Sequence, residues 1–313
     1  MINILIFSKY IERMSKSLKT EIKSLLKERR PNLSDSSLNT YSSLINTVLG
    51  KIKSDDNVDD TIYKKDEILK VIEEMSNNQS KKTLLSALFI LTKEDDYHKK
   101  MIEGINTTNA NYKTQTVSQS RKDAYMTPQE VKDKYLEIAA RLKKNPSEKN
   151  YNDTLIAGLM GGVFIPPRRL EWAYVKIRNF NKAEDNYYDK GKVYFNKYKT
   201  ASKYGKQVVS VPKEILPILK KWLKINETDY LLTTIRGKPF STSQLSTRVG
   251  EVFGKKNLGV DVLRSIYLSE IYKDTPHIEK LQSVADQMGH SLLSGMSFYT
   301  KKDIKENSSD EDN

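Results

Sequence analysis

Cysteine is missing from all 313 residues, and histidine occurs only three times. That excludes a cysteine nucleophile, a cysteine-ligated zinc site, an iron–sulfur centre and a disulfide-stapled scaffold, and it fits a reducing compartment. The three histidines, His98, His277 and His290, are too dispersed along the chain for a zinc motif. Long apolar runs are also missing. The longest near the start, Ile2 to Phe7, is too short to span a bilayer and lacks a small-residue cleavage pattern, so no membrane partner is expected and the localisation expected is cytoplasmic or nuclear. There is no fixed-period repeat and no long low-complexity tract. Motifs for bound nucleotides and serine nucleophiles are lacking too. Gly250 to Lys255 reads Gly-Glu-Val-Phe-Gly-Lys, one residue short of a phosphate-binding loop, with Lys256 where Ser or Thr is required; neither Gly-x-Gly-x-x-Gly nor Gly-x-Ser-x-Gly occurs. No cofactor and no metal are expected.

What the chain has in quantity is positive charge. Lys and Arg number 53 against 40 Asp and Glu, a net +13, which favours a polyanionic partner, nucleic acid first. A lysine-rich, AT-biased genome would give the same total, but it would spread the excess along the chain. Residues 190–256 alone hold 15 Lys and Arg against 4 Asp and Glu, a net +11. Such a concentration suits a phosphate backbone.

Apolar residues recur at helical spacing from Leu18 through Leu26 and from Leu38 through Leu49, with Asp35 or Ser36 as the expected N-cap of the second helix. Further helices are expected over Asp66–Met75 and Lys81–Leu91. Asn106–Lys122 is polar, with little apolar periodicity, and reads as a linker. Thr127-Pro128-Gln129-Glu130 then combines an N-cap, a proline in the first turn and a glutamate for a capping box, opening a second domain. Its expected elements are helices to Leu142 and over Asn152–Gly162, strands over Tyr174–Ile177, Lys192–Tyr198 and Gln207–Val211, and helices near Lys213–Lys224, Ser241–Phe253, Val260–Tyr272 and His277–Met288. The fold class is mainly α with a small antiparallel β-sheet (α+β). The expected divisions are an N-terminal segment 1–16, a helical domain 17–105, a linker 106–124, a second domain 125–303 and an acidic tail 304–313.

Five features of the second domain bear on chemistry: the pair Arg168 and Arg169, Lys199 in the expected hairpin, Arg264, His290, and Tyr299. Guanidiniums remain charged at any working pH and their planar forks suit phosphate, so two of them can offset the charge of a pentacoordinate phosphorus. A tyrosine phenol is a nucleophile once its proton has somewhere to go. A lysine on a hairpin can donate a proton to a departing 5′-oxygen, and a histidine can hydrogen-bond the phosphate. Together these residue types can attack a phosphodiester without metal. Taken singly each has an ordinary structural use: an arginine pairing with Glu171, a snorkelling Arg264, a His290 that complements a helix end, one tyrosine among 18.

In order and spacing the set resembles the tyrosine recombinase (phage integrase) family. Gly289-His290-Ser291 is followed by Tyr299 nine residues after the histidine; Leu263-Arg264 resembles the second arginine box, Lys199-Thr200 the hairpin lysine, and Arg168-x-x-Glu171 the first arginine box. Arg169 is the alternative to Arg168, in a register that puts Pro167 where the family has Gly. The Pro-Pro-Arg-Arg form of this box resembles integrase-like genes of large DNA viruses and their satellites. The resemblance covers residues 125–303, and the helical N-terminal part resembles the core-binding domain of the same enzymes. It implies a clamp of two domains on double-stranded DNA, a 3′-phosphotyrosyl intermediate needing neither ATP nor metal, and a homo-tetramer on DNA formed from a protein that can be monomeric when free. The function implied is site-specific recombination or integration of DNA; the alternatives are a type IB topoisomerase-like relaxing enzyme and a DNA-binding protein of the same fold with impaired catalysis. One departure stands out. The family usually carries His three residues before the second arginine, and here that position is Asp261, a carboxylate able to accept a proton yet repelled by a phosphate.

Overall fold

The structure is a computed structural model, and it describes residues 18–52, 62–113, 115, 119–288, 291–294 and 296. The chain divides into two compact units between Thr116 and Val117, each with its own apolar core.

The first unit is helical. Residues 18–29 form α1, followed by α2 (Asp35–Ile52), α3 (Lys65–Glu73), α4 (Asn78–Thr92) and α5 (Asp95–Lys113). Its core gathers Ile22 and Leu26 of α1, Ile45 of α2, Ile68 of α3 and Leu84, Leu88 and Leu91 of α4, the stripe that helical spacing requires. One expectation is corrected here. The N-cap of α2 is Ser34, whose Oγ accepts from Ser37 N at 3.2 Å, because Asp35 already lies inside the helix. The polar stretch from Asn106 to Lys113, which shows little apolar periodicity, is helical and continues α5; Thr107 and Thr108 return their hydroxyls to the carbonyls of Glu103 and Gly104, an internal outlet for those two polar groups.

The second unit begins with α6 (Gln119–Ala124), α7 (Pro128–Lys144) and α8 (Glu148–Met160). The capping box at α7 forms as expected: Thr127 Oγ1 accepts from Glu130 N at 3.1 Å and Glu130 Oε2 accepts from Thr127 N at 2.7 Å. Packed by α7, by α10 (Leu216–Ile225) and by α11 (Thr242–Phe253), α8 is buried along its length, which is why its sequence shows no clear polar face. The antiparallel sheet has the order β1 (Tyr187–Asp189), β2 (Lys192–Phe195), β3 (Gln207–Ser210), and a short helix, α9 (Ala201–Tyr204), lies in the β2–β3 connection. Beyond α11 come α12 (Val260–Ile271), α13 (Ile278–Gln287) and α14 (Leu292–Ser294).

The sheet differs from expectation at its first strand. Leu170–Tyr174 is a 3₁₀ turn, and of Tyr174–Ile177 only Lys176 makes bridges, to Tyr187 and Tyr230. Ile177 N and Arg178 N both turn to the Asp229 carbonyl, which draws the chain out of the ladder. The strand in its place is β1, joined to β2 by the tight turn Lys190-Gly191, where both residues take positive φ (47° and 81°). β2 also stops at Phe195 instead of Tyr198, because Asn196 N and Lys197 N donate to the buried Asn186 Oδ1 and leave the ladder.

Candidate active site

The approach to the site is set by the end of α8. Gly161 closes that helix, and Gly162, at φ +85°, turns the chain toward Pro166 and Pro167. The prolines cannot continue a helix, so Arg168 and Arg169 emerge on an extended segment before the 3₁₀ turn. Both arginines line a cleft of about 320 Å³ together with Glu171, Tyr198, Thr200, Gln207 and Arg264. Arg264 comes from α12, 96 positions beyond Arg168 in sequence. Lys199 itself is exposed, in the turn between β2 and α9, immediately beside Thr200 of the cleft wall.

Arg168 is half-buried and held on three sides. Its Nη1 donates to Gln207 Oε1 at 2.6 Å, and its guanidinium lies 4.3 Å from the ring centre of Phe195 and 5.3 Å from that of Tyr198. Phe195, fully buried, is itself met edge-on by the fully buried Trp172 at 5.1 Å. Burial lowers the Arg168 pKa; Glu171 and Tyr198 oppose this, and the cations Arg169 and Arg264 lower it further. A guanidinium starts so high that it remains charged. The cleft therefore gathers three cations. Among the described residues the side chains of Arg169 and Arg264 make no hydrogen bond or ion pair, and no ion pair joins Glu171 to either arginine of the first box. The Nε of Arg168 and Oε2 of Glu171 are buried without hydrogen-bond partners. Three cations around one carboxylate, Glu171, leave the cleft with an excess of positive charge, which is unfavourable alone and favourable around an anion with several acceptor oxygens.

Asp261 lies elsewhere. In the first turn of α12, with its side chain 78% exposed, it faces Arg121 at 3.7 Å and lines a separate cleft of about 910 Å³ with Arg121, Lys255 and Lys256. That cleft takes in the near-miss phosphate loop Gly250–Lys255, here the end of α11 and the turn after it. His290 and Tyr299 fall outside the described residues. The sequence does not single out Gln207, Phe195 or Tyr198. Nothing local marks them, because Gln207 meets Arg168 across 39 positions of chain.

No family model matches the chain, and no curated protein does. Solved structures similar to it include a lambda integrase (75-356) dimer bound to a COC′ core site, at 18% identity and a TM-score of 0.46, covering 93% of this chain and 99% of that one. A lambda integrase tetramer bound to a Holliday junction is similar at 18% identity and a TM-score of 0.44, over 93% and 80% of the two chains. XerA recombinase is similar at 16% identity and a TM-score of 0.34, over 90% and 94%.

Proposed function

We propose that the protein is a tyrosine-type DNA strand transferase, a site-specific recombinase that cleaves and rejoins double-stranded DNA. The observation that carries the reading is the cleft: Arg168, Arg169 and Arg264 converge from segments far apart in sequence, with no ion pair to a carboxylate among the described residues, beside the turn that bears Lys199. The expected order of residues along the chain, ending in His290 and Tyr299, supplies the rest of the chemistry.

In this reading the arginines hold the non-bridging oxygens and offset the charge that grows on phosphorus. The phenol oxygen of Tyr299 attacks phosphorus and the bond to the 5′-oxygen breaks. Lys199 gives that oxygen its proton, and the phenol proton passes to solvent, since Asp261 lines the separate cleft beside Arg121. The product is a 3′-phosphotyrosine, as energy-rich as the bond it replaced, so a 5′-hydroxyl of a second strand can reverse the step without ATP. Two copies would cleave one duplex site and four would join two sites.

A second reading is a DNA-binding protein that does not cleave, and the exposure of Asp261 beside Arg121 favours it. Both are tested by incubating the protein with a pool of nicked duplexes of randomised sequence, in which the short strand diffuses away after cleavage. A denaturant-stable protein–DNA adduct mapped to Tyr299, lost in Tyr299→Phe, is the expected result. Arg168→Ala and Arg264→Ala should each slow its formation by about 10²- to 10³-fold. Binding to the pool with no adduct would establish the binder and overturn the enzyme.

A further inference from the structure

The β2–β3 connection, residues 196–206, is fastened at both ends. At its start Asn186, only 4% exposed, accepts from Asn196 N and Lys197 N at 2.9 and 2.8 Å and donates to the Lys197 carbonyl at 2.8 Å. Across its middle the Tyr198 hydroxyl donates to the Gly205 carbonyl at 2.6 Å. At its end stands Gln207, whose side chain leaves the sheet to take the Arg168 guanidinium at 2.6 Å. Arg168 in turn lies against Phe195 and Tyr198 at the opposite end of the same connection. One guanidinium thus spans both ends of the eleven-residue segment that carries Lys199.

We propose that Gln207 is a positioning residue, which ties the Lys199-bearing connection to Arg168 and so fixes the proton donor relative to the phosphate-binding arginines. The proposal rests on the reading of the cleft as a phosphodiester site. The chemistry of the acceptor supports it. A carboxylate at this position would hold the guanidinium equally well but cancel its charge, whereas an amide oxygen orients it and leaves the charge for the phosphate. Glu171, the carboxylate nearest in sequence, makes no ion pair with Arg168 among the described residues, so the amide is the hydrogen-bonding partner that sets the guanidinium's direction. Protonation of the leaving 5′-oxygen and binding of the non-bridging oxygens must act on one phosphodiester, and a misplacement of about 1 Å is enough to cost about a hundred-fold in rate.

Two measurements on the full chain test this. In hydrogen–deuterium exchange of the free protein, Gln207→Ala should raise exchange of residues 199–206 by about ten-fold, Arg168→Ala should do the same, and Gln207→Glu, which retains the acceptor, should keep native protection. With the randomised nicked duplexes, Gln207→Ala should slow adduct formation by about ten- to a hundred-fold, a larger factor than any loss of affinity for the same DNA. Unchanged exchange in Gln207→Ala overturns the tether. Raised exchange with an unchanged adduct rate overturns the positioning role and leaves the cleavage reading standing. Absence of adduct from the native protein overturns the cleavage reading, and with it the catalytic role of Gln207, while the exchange result still decides the tether.

Discussion

At the scale of single residues, the second unit places one carboxylate among three cations. Asp153, on the all-round buried helix α8, has a side chain only 2% exposed and accepts from Lys149 at 2.9 Å, from Arg141 at 3.3 Å and from Arg248 of α11. Arg248 is pushed the other way from Arg168: burial lowers its pKa, but Glu251 and Asp153 more than compensate and the net shift is upward. The contrast separates a structural arginine, matched to acids, from those of the cleft. Asp153→Ala would leave Arg248, four-fifths buried, without its deeper partner, and should destabilise the second unit by about 3 kcal/mol. Both tryptophans, Trp172 and Trp222, are in this unit's core, so their fluorescence during urea unfolding reads the loss directly. A shift no larger than for an exposed substitution would show Asp153 to be dispensable. The candidate site was legible in sequence to the extent that chemistry follows residue type and order: Arg168, Arg169 and Arg264 could be picked out, and the structure gathers them in one cleft. Asp261 could be noticed only as a departure, and its pairing with Arg121 depends on a contact across 140 positions. Gln207 was illegible, since an amide's worth is set by what folding brings against it.

At the scale of elements, the decisive junction is the end of α8. A Cβ added at Gly161 would lie 2.4 Å from the Ala157 carbonyl oxygen and 2.9 Å from the ring of Phe253, and neither the helix backbone nor that core side chain can move aside cheaply. Gly161→Ala should therefore cost the second unit about 2 kcal/mol and disturb the segment leading to Arg168. The same substitution at Gly104, inside α5 with open space around it, should stabilise the first unit by about 1 kcal/mol, the ordinary helix preference of alanine. Opposite signs in matched thermal melts are the expected outcome; two like signs would mean that packing at Gly161 does not govern that junction. Legibility at this scale followed local chemistry. The capping box at Thr127 and the long amphipathic helices were readable because each is decided by neighbours in sequence. The β1 strand and the continuation of α5 were not. The first is three residues long and exists by pairing with β2, and the second carries polar side chains that close hydrogen bonds onto their own helix.

At the scale of the whole molecule, the question is where the positive charge sits and what it does. Of the net +13, residues 190–256 supply +11, and that span contains β2, the Lys199 connection, β3, α10 and α11, all within the second unit. Each phosphate neutralised by a lysine or arginine releases condensed counterions and adds about 0.9 to the slope of log affinity against log salt. If DNA lies along this span, its affinity must fall steeply with salt, and the slope must be assignable to residues. Lys199→Ala and Lys203→Ala, both exposed and both in the connection, should each flatten it by about 0.9. Lys143→Ala and Lys144→Ala, exposed at the end of α7, should leave it unchanged, although they remove the same charge from the molecule. Fluorescence anisotropy with one duplex across a salt series distinguishes the outcomes. Equal flattening by both pairs would mean that the protein attracts DNA through its total charge, as a merely lysine-rich chain would. A shallow native slope would mean that phosphate contacts contribute little to the affinity, and would remove the DNA from residues 190–256.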